Sequence, residues 1–255
     1  MVSGRPAARL RVATLNVREL KDDGAALRRV LVALAADVVC LQEVPTHPFA
    51  GHRLGDLAAD AGLWVAASGT PGAGTAVLAA SRVDVRAGQV RALPTPRVRN
   101  RRPVRRRGCA DAVVRVPLGT GWSRDVLVRS VHLGLEEGER ERHAAALTPS
   151  APLPGPCAPW QHVPVVLAGD LNEGPEGAAR RRLSTVLVDA AETVGAEFAT
   201  FPARAPRHRI DLLLLDPRLS VTAVTTPELA PGDAAAATDH LAVVADLLVP
   251  ADDGS

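Results

Sequence analysis

The chain has 255 residues, 47% of them hydrophobic and 23% charged, with a formal net charge of +2. That mix excludes a disordered chain, and no apolar stretch approaches the ~18 residues of a membrane span. Three cysteines (Cys40, Cys109 and Cys157), far apart and without CxxC spacing, exclude a disulfide scaffold or a cysteine zinc site. With no secretory signal read at the N-terminus, the sequence predicts a cytoplasmic protein with reduced thiols.

The run from Arg11 to Val17 is apolar up to a terminal Asn16 and reads as a buried strand. Asp22 and Asp23 can cap a helix over about 25–36, where Leu27, Val30, Leu31 and Leu34 fall at helical spacing. Asp37 to Glu43 returns to strand, followed by a helix near 54–61 and strands near 63–67, 75–80 and 83–90. Between Val85 and Ala110 stand nine arginines and no acid, so the rest of the chain is net acidic. An acidic body with one basic segment suits carboxylates that hold a metal beside an anion-attracting loop. The densest part, Arg97 to Arg107, repels itself and is expected to be an exposed loop or ragged hairpin, in which Arg105, Arg106 and Arg107 either grip substrate phosphates, if the loop borders the site, or are simply solvated.

Strands are predicted over 112–116 and 126–133, with His132 interrupting the apolar run, then a helix over 139–147. The proline-rich stretch from Pro149 to Pro164 reads as a surface loop, excluding helix and central strand. Strands near 163–171, 210–215, 221–225 and 241–249 complete the count, with a helix near 177–185. About ten strands with interspersed helices predict a sheet-based α/β or α+β fold.

Several strands border a polar residue that a buried strand has no packing use for: Asn16, Glu43, His132, Asp170 with Asn172, Asp211, and Asp239 with His240. Singly, each has an ordinary use as a cap, a turn former or a satisfied core histidine. Together they offer four carboxylates, two amides and two imidazoles where loops of a sheet fold converge. Oxygen donors without cysteine suit a hard cation, Mg²⁺ or Mn²⁺, with Ca²⁺ also compatible.

In order, TLNV, CLQEV, SVHL, GDLN, RIDLLLL and TDH resemble the endonuclease/exonuclease/phosphatase superfamily, over Arg11 to Val249. The resemblance implies a four-layer α/β sandwich, two mainly antiparallel sheets face to face and flanked by helices. It implies one catalytic domain over 1–255, with its core from 9 to 250. It also implies roles: Glu43 as main metal ligand, with Asn16 and Asp239 lining the metal pocket. Asp170 is expected to orient or deprotonate the attacking water, and Asn172 to hold that water or a phosphoryl oxygen. Asp211 is expected to orient His240 at the scissile phosphate, with His132 near the phosphate and leaving oxygen.

Two departures narrow the resemblance. The absence of tyrosine weakens an abasic-DNA repair reading, and Arg18 stands where some members carry a metal-binding acid. The activity expected is metal-dependent phosphodiester hydrolysis on DNA or RNA, with no protein partner implied. The alternatives are hydrolysis of a small phosphorylated metabolite or phospholipid head group, or a non-catalytic binding protein on the same fold.

Overall fold

A computed structural model describes residues 6–47, 50–95, 105–119, 121–148, 151, 153–227 and 229–252. In chain order the strands are β1 (Ala7–Asn16), β2 (Val38–Gln42), β3 (Leu63–Ser68), β4 (Ala76–Ala80), β5 (Asp84–Ala92), β6 (Gly108–Arg115), β7 (Pro117–Leu118), β8 (Gly121–Trp122), β9 (Val126–His132), β10 (Val165–Asp170), β11 (Val188–Asp189), β12 (Asp211–Leu215), β13 (Ser220–Thr225) and β14 (Val243–Pro250). The helices are α1 (Gly24–Leu34), α2 (Ala50–Asp60), α3 (Glu137–Leu147), α4 (Ala178–Leu183), α5 (Ala190–Val194) and α6 (Asp233–Ala237).

Two six-stranded sheets form, in the orders β13-β14-β1-β2-β4-β3 and β11-β12-β10-β9-β6-β5. Within these sheets the neighbouring strands pair antiparallel except β1 with β2 and β9 with β10. Side chains alternate between the faces of a strand, and this alternation builds the layers. Leu10, Val12, Val38, Cys40, Val128, Val166, Ala168 and Leu213 belong to one buried cluster between the sheets. Alternate residues such as Ala13, Leu15, Val39 and Leu41 join Leu27, Val30, Leu31 and Leu54 of α1 and α2. On the second sheet, Val131, Leu133, Leu167 and Leu212 pack with Ala144, Leu147 and Leu183 of α3 and α4. The result is the four-layer sandwich, each fully buried aliphatic side chain contributing about 1.5–3 kcal/mol.

Local signals explain the elements that matter for the site. Asp23 caps α1, its Oδ1 accepting from the N–H groups of Ala25 and Ala26 at 2.8 and 3.1 Å. Gly169 has φ of +151°, and a Cβ there would lie 2.0 Å from the Val131 carbonyl oxygen. Only glycine lets β10 approach β9 so closely just before Asp170.

Four sequence expectations change. The proline-rich stretch contains a 3-10 helix, Gly155–Trp160; Pro156 is accommodated because the first N–H groups of a helix lack intrahelical partners anyway. His132 closes β9 rather than interrupting it. β6 starts at Gly108, four residues before the predicted strand. Of the arginine segment, Arg97, Arg99, Arg101 and Arg102 lie outside the described residues. At its C-terminal end, Arg105 and Arg106 are exposed, whereas Arg107 is buried at 4% exposure. The predicted solvated loop therefore does not extend to Arg107, because pairing of Leu93 N–H with the Arg107 carbonyl continues the β5–β6 ladder past its last named residues.

Candidate active site

Register assembles the centre. β10 runs between β9 and β12, and places Asp170 opposite His132 on one side and Asp211 on the other. In the other sheet Asn16 stands opposite Gln42, so Glu43 follows at the same rim. The inner face of these strands turns polar toward that rim. Gln42 Nε2 donates to Ser130 Oγ at 3.1 Å, and Ser130 Oγ donates to the Leu41 carbonyl at 2.8 Å. These bonds lock the two sheets together directly beneath the site.

Asp170, 1% exposed, is the hub. Its Oδ2 accepts from Asn16 Nδ2 at 3.2 Å, and its Oδ1 from the Asn172 N–H at 2.8 Å. His132 Nε2 lies 3.4 Å and His240 Nε2 4.0 Å from the same Oδ2. Asn172, at φ +52°, donates its Nδ2 to the Leu133 carbonyl at 3.0 Å, leaving its Oδ1 available to a ligand. His240 Nδ1 meets Asp211 Oδ2 at 2.8 Å, and its ring packs against Phe201 with centroids 4.8 Å apart. His132 Nδ1 meets Arg107 Nη1 at 2.9 Å.

These surroundings set the charge states. Burial, reinforced by the Asp211 carboxylate, pushes Asp170 up to about 7. Burial disfavours a charged His240, but the hydrogen bond and charge of Asp211, with Asp170 and Asp239, outweigh it and lift the ring to about 9. For His132, burial and then the charges of Arg107 and Arg105 act together and hold it well below the ordinary histidine value. Burial, then repulsion from Arg105, also lowers Arg107, against the pull of Asp170, Glu43 and Glu139.

Glu43 stands apart from that hub. It adopts φ +54°, a left-handed conformation costly for a residue with a Cβ. Its carbonyl accepts from the Glu19 N–H at 2.7 Å, and the next N–H, of Val44, donates to the Gly74 carbonyl at 2.7 Å. The carboxylate lies 3.5 Å from Arg105, whose other Nη donates to Glu19 Oε1 at 2.7 Å. Asp239 faces Arg18 Nε at 3.4 Å.

The donor set fits a hard divalent cation. Glu43 already draws a cationic group, and the neighbouring donors Asn16 and Asp239 are oxygen-bearing. Ligand atoms of Asp170, Asp211 and His240 also lie within 4.8 Å of one another, and Asp211 Oδ1 is buried without a hydrogen-bond partner. In that trio, however, His240 Nδ1 is committed to Asp211 at 2.8 Å. Asp211 and His240 thus form a carboxylate–imidazole pair beside Asp170.

The structure thus brings Asn16, His132, Asp170, Asn172, Asp211 and His240 into one network, with Arg107 joined to it. Arg105 is instead engaged by Glu19 and Glu43, and Arg106 faces solvent. Sequence reasoning missed Phe201, Gln42, Ser130 and Glu19. A readable signal existed for two of them: Gln42 and Ser130 are polar and stand two residues after Cys40 and Val128, on the strand face that is apolar deeper in.

This fold and rim define a class. The endonuclease/exonuclease/phosphatase family model matches residues 13–240, and the chain belongs to that family of divalent-metal-dependent phosphoesterases. A family protein of known structure from Bacteroides vulgatus superposes with TM-score 0.73 at 19% identity, over 95% of this chain and 99% of that one. A mannosyl-6-phosphatase from Bacteroides thetaiotaomicron gives TM-score 0.69 at 18% identity, over 93% and 99%. The sulfate-bound catalytic domain of human Nocturnin gives 0.64 at 17% identity, over 96% of each chain. No curated protein sequence matches the chain.

Proposed function

We propose that the protein is a divalent-metal-dependent phosphodiesterase acting on nucleic acid. The observation that carries the hydrolytic reading is the convergence of two imidazole Nε2 atoms and the Asn16 amide on one oxygen of the buried Asp170. Asp170, pushed up to about 7, has the basicity to take a proton from a water at neutral pH. Asn172 Oδ1 helps hold that water. His240, kept cationic by Asp211, presents its Nε2–H to the phosphate and supplies a proton to the departing oxygen. Glu43, with Asn16 and Asp239, holds Mg²⁺ or Mn²⁺, which when bound neutralises charge on the phosphoryl oxygens.

The diester reading rests on the arginine segment from Arg97 to Arg107, where Arg106 is exposed. A second reading, hydrolysis of a small phosphate monoester, is favoured by one observation. Arg86, Arg91 and Arg105 of that segment are paired with Asp84, Asp111 and Glu19, and so are engaged within the protein. The deciding experiment assays plasmid DNA, single-stranded RNA, sphingomyelin, inositol phosphates, a sugar phosphate and bis-p-nitrophenyl phosphate with Mg²⁺ or Mn²⁺ and an EDTA control. Cleavage of DNA or RNA, abolished by EDTA, is the expected result. Turnover confined to monoesters moves the assignment to the second reading, and no turnover on any ester removes the hydrolase assignment.

A further inference from the structure

The two histidines of the site are held by groups of opposite charge, and this difference carries an inference about their division of labour. It deepens the hydrolase reading above. Asp211 can only accept a hydrogen bond when ionised, so the 2.8 Å contact at His240 Nδ1 fixes a proton on that nitrogen. Arg107 is the opposite case. A guanidinium carries five N–H donors and no acceptor lone pair. The 2.9 Å contact between Arg107 Nη1 and His132 Nδ1 is therefore donated by the arginine, and Nδ1 must be unprotonated.

We propose that Arg107 is a positioning residue that locks His132 as the neutral Nε2–H tautomer, making it a fixed hydrogen-bond donor that does not transfer protons. The geometry requires the single remaining proton of His132 to sit on Nε2, the nitrogen 3.4 Å from Asp170 Oδ2. A phosphoryl oxygen arriving beside Asp170 meets that N–H as a dipole already aimed, with no reorientation needed during the reaction. Protonating Nδ1 instead would set two cationic groups against each other in a site where His132 is 3% and Arg107 4% exposed.

The groups facing His132 agree with this assignment. Arg107 and Arg105 are cationic, His240 approaches the same oxygen of Asp170, and Asp170 is the carboxylate beside the ring. Arg107 is itself placed by its neighbour: a Cβ on Gly108 would lie 2.5 Å from the Pro71 carbonyl oxygen. Only glycine fits where β6 starts, directly after the arginine. Among the described residues Arg107 has no carboxylate within ion-pair distance, so its guanidinium is directed to His132.

The test reads the tautomer directly and needs no turnover. Histidine ¹⁵N chemical shifts of the full-length, metal-free protein at pH 7.5 distinguish Nδ1–H, Nε2–H and imidazolium rings. His132, assigned by its absence from the spectrum of H132Q, is expected as the neutral Nε2–H form. In R107M, which removes the donors at similar volume, Nδ1-protonated forms of His132 are expected to appear. A protonated Nδ1 in the wild-type protein overturns the inference, and so does an unchanged tautomer in R107M. The wild-type spectrum decides even where R107M does not fold. On whichever ester proves to be the substrate, H132Q keeps a donor at the Nε2 position and is expected to lose less than about tenfold in kcat. H132A is expected to lose about a hundredfold. Equal, large losses in H132Q and H132A overturn the fixed-donor role. Failure to find any substrate bears on the hydrolase reading alone, because the tautomer is measured without one.

Discussion

Asp111 and Asp170 are both buried acids in the second sheet, at 0% and 1% exposure, and they behave in opposite ways. Asp111 stands opposite Arg129 in the β6–β9 ladder and is saturated with donors. Arg129 reaches it at 2.6 and 3.3 Å, Gln89 at 3.1 Å, and Arg91 lies 3.6 Å away. Burial alone would raise this acid, but the two guanidiniums outweigh it and hold it below the ordinary carboxylate value. Arg129 also donates to the Leu147 carbonyl at the end of α3, so the cluster ties helix to sheet. Asp170 has no guanidinium on it. Its hydrogen-bond donors are two amides, with two imidazoles 3.4 and 4.0 Å away, and it shares the rim with Asp211, so burial wins and the acid rises to about 7. A buried carboxylate clamped by arginine is a structural charge; one left to weak donors beside another carboxylate is a reactive one.

The sharpest way to break that comparison is to neutralise each acid. Asp170→Asn is expected to lower kcat by about 10²–10⁴-fold, the range of general-base contributions. Its fold should persist, and its stability should show a definite pH signature. The folded-state value of Asp170, about 7, lies above its unfolded value near 3.8. The native protein therefore gains proton-linked stability below about 4 that is lost as pH rises through 7. Asn cannot ionise, so in EDTA the Tm of Asp170→Asn relative to wild type should climb from pH 4 to pH 8. A flat difference would mean that Asp170 is not the raised acid.

Asp111→Asn should do the reverse. It leaves Arg129 buried with its charge uncompensated, at a cost of about 3–5 kcal/mol in denaturant unfolding. The kcat of the protein that remains folded should change little. Because Asp111 is depressed in the folded state, its contribution is present above about 3.8 and is lost as pH falls through its lower folded value. The destabilisation by Asp111→Asn should therefore shrink in strong acid, the opposite trend from Asp170→Asn.

The acid we propose as reactive was legible in the sequence and the structural one was not. Asp170 ends an apolar run in a short motif, as Asn16 ends another and Asp211 opens a third, and a polar residue at a strand end stands out against the strand. Asp111 lies inside a run from Gly108 to Val114, where no local pattern signals an arginine from the neighbouring strand. Arg107 misled for a related reason. A count of like charges along the chain predicts solvent, but the β5–β6 ladder reaches its carbonyl and a ring on β9 takes its guanidinium. The short elements β11, α5 and α6 are too brief to carry a periodicity and went unread. Register between strands, which sets His132, Asp170 and Asp211 in one row, is a tertiary property that periodicity within a strand does not contain.

A smaller effect separates the members of the reactive cluster. His240 lies at about 9 chiefly because the hydrogen bond and charge of Asp211 overcome its burial. In Asp211→Asn that support is gone, so the alkaline limb of kcat/KM, expected near 9 in the wild type, should move toward neutrality. The losses from Asp211→Ala and His240→Ala should be strongly non-additive, as for two residues acting as one unit. Losses that simply add in free energy would separate the pair.

The smallest expected effect lies at the edge of the site, where a guanidinium meets carboxylates in solvent. Arg105 contacts Glu19 at 2.7 Å and Glu43 at 3.5 Å, with its side chain 55% exposed. Unlike the Arg129–Asp111 pair, such a contact is screened and contributes about 0–1 kcal/mol to stability. Arg105→Gln should therefore leave unfolding within that range. Its effect on cation binding should be larger than its effect on stability, because Arg105 neutralises the carboxylate to which we assign the metal. Two charges about 4 Å apart in water interact by about 1 kcal/mol, so removing Arg105 should tighten Mn²⁺ binding by about fivefold at low ionic strength. The gain should fade as salt approaches 1 M, where the screening length falls to about 3 Å. Calorimetric Mn²⁺ titrations of wild type and Arg105→Gln at two salt concentrations measure this without any substrate. Identical affinities at low salt would place the cation away from Glu43, and would turn the choice of metal site toward the Asp170, Asp211 and His240 trio.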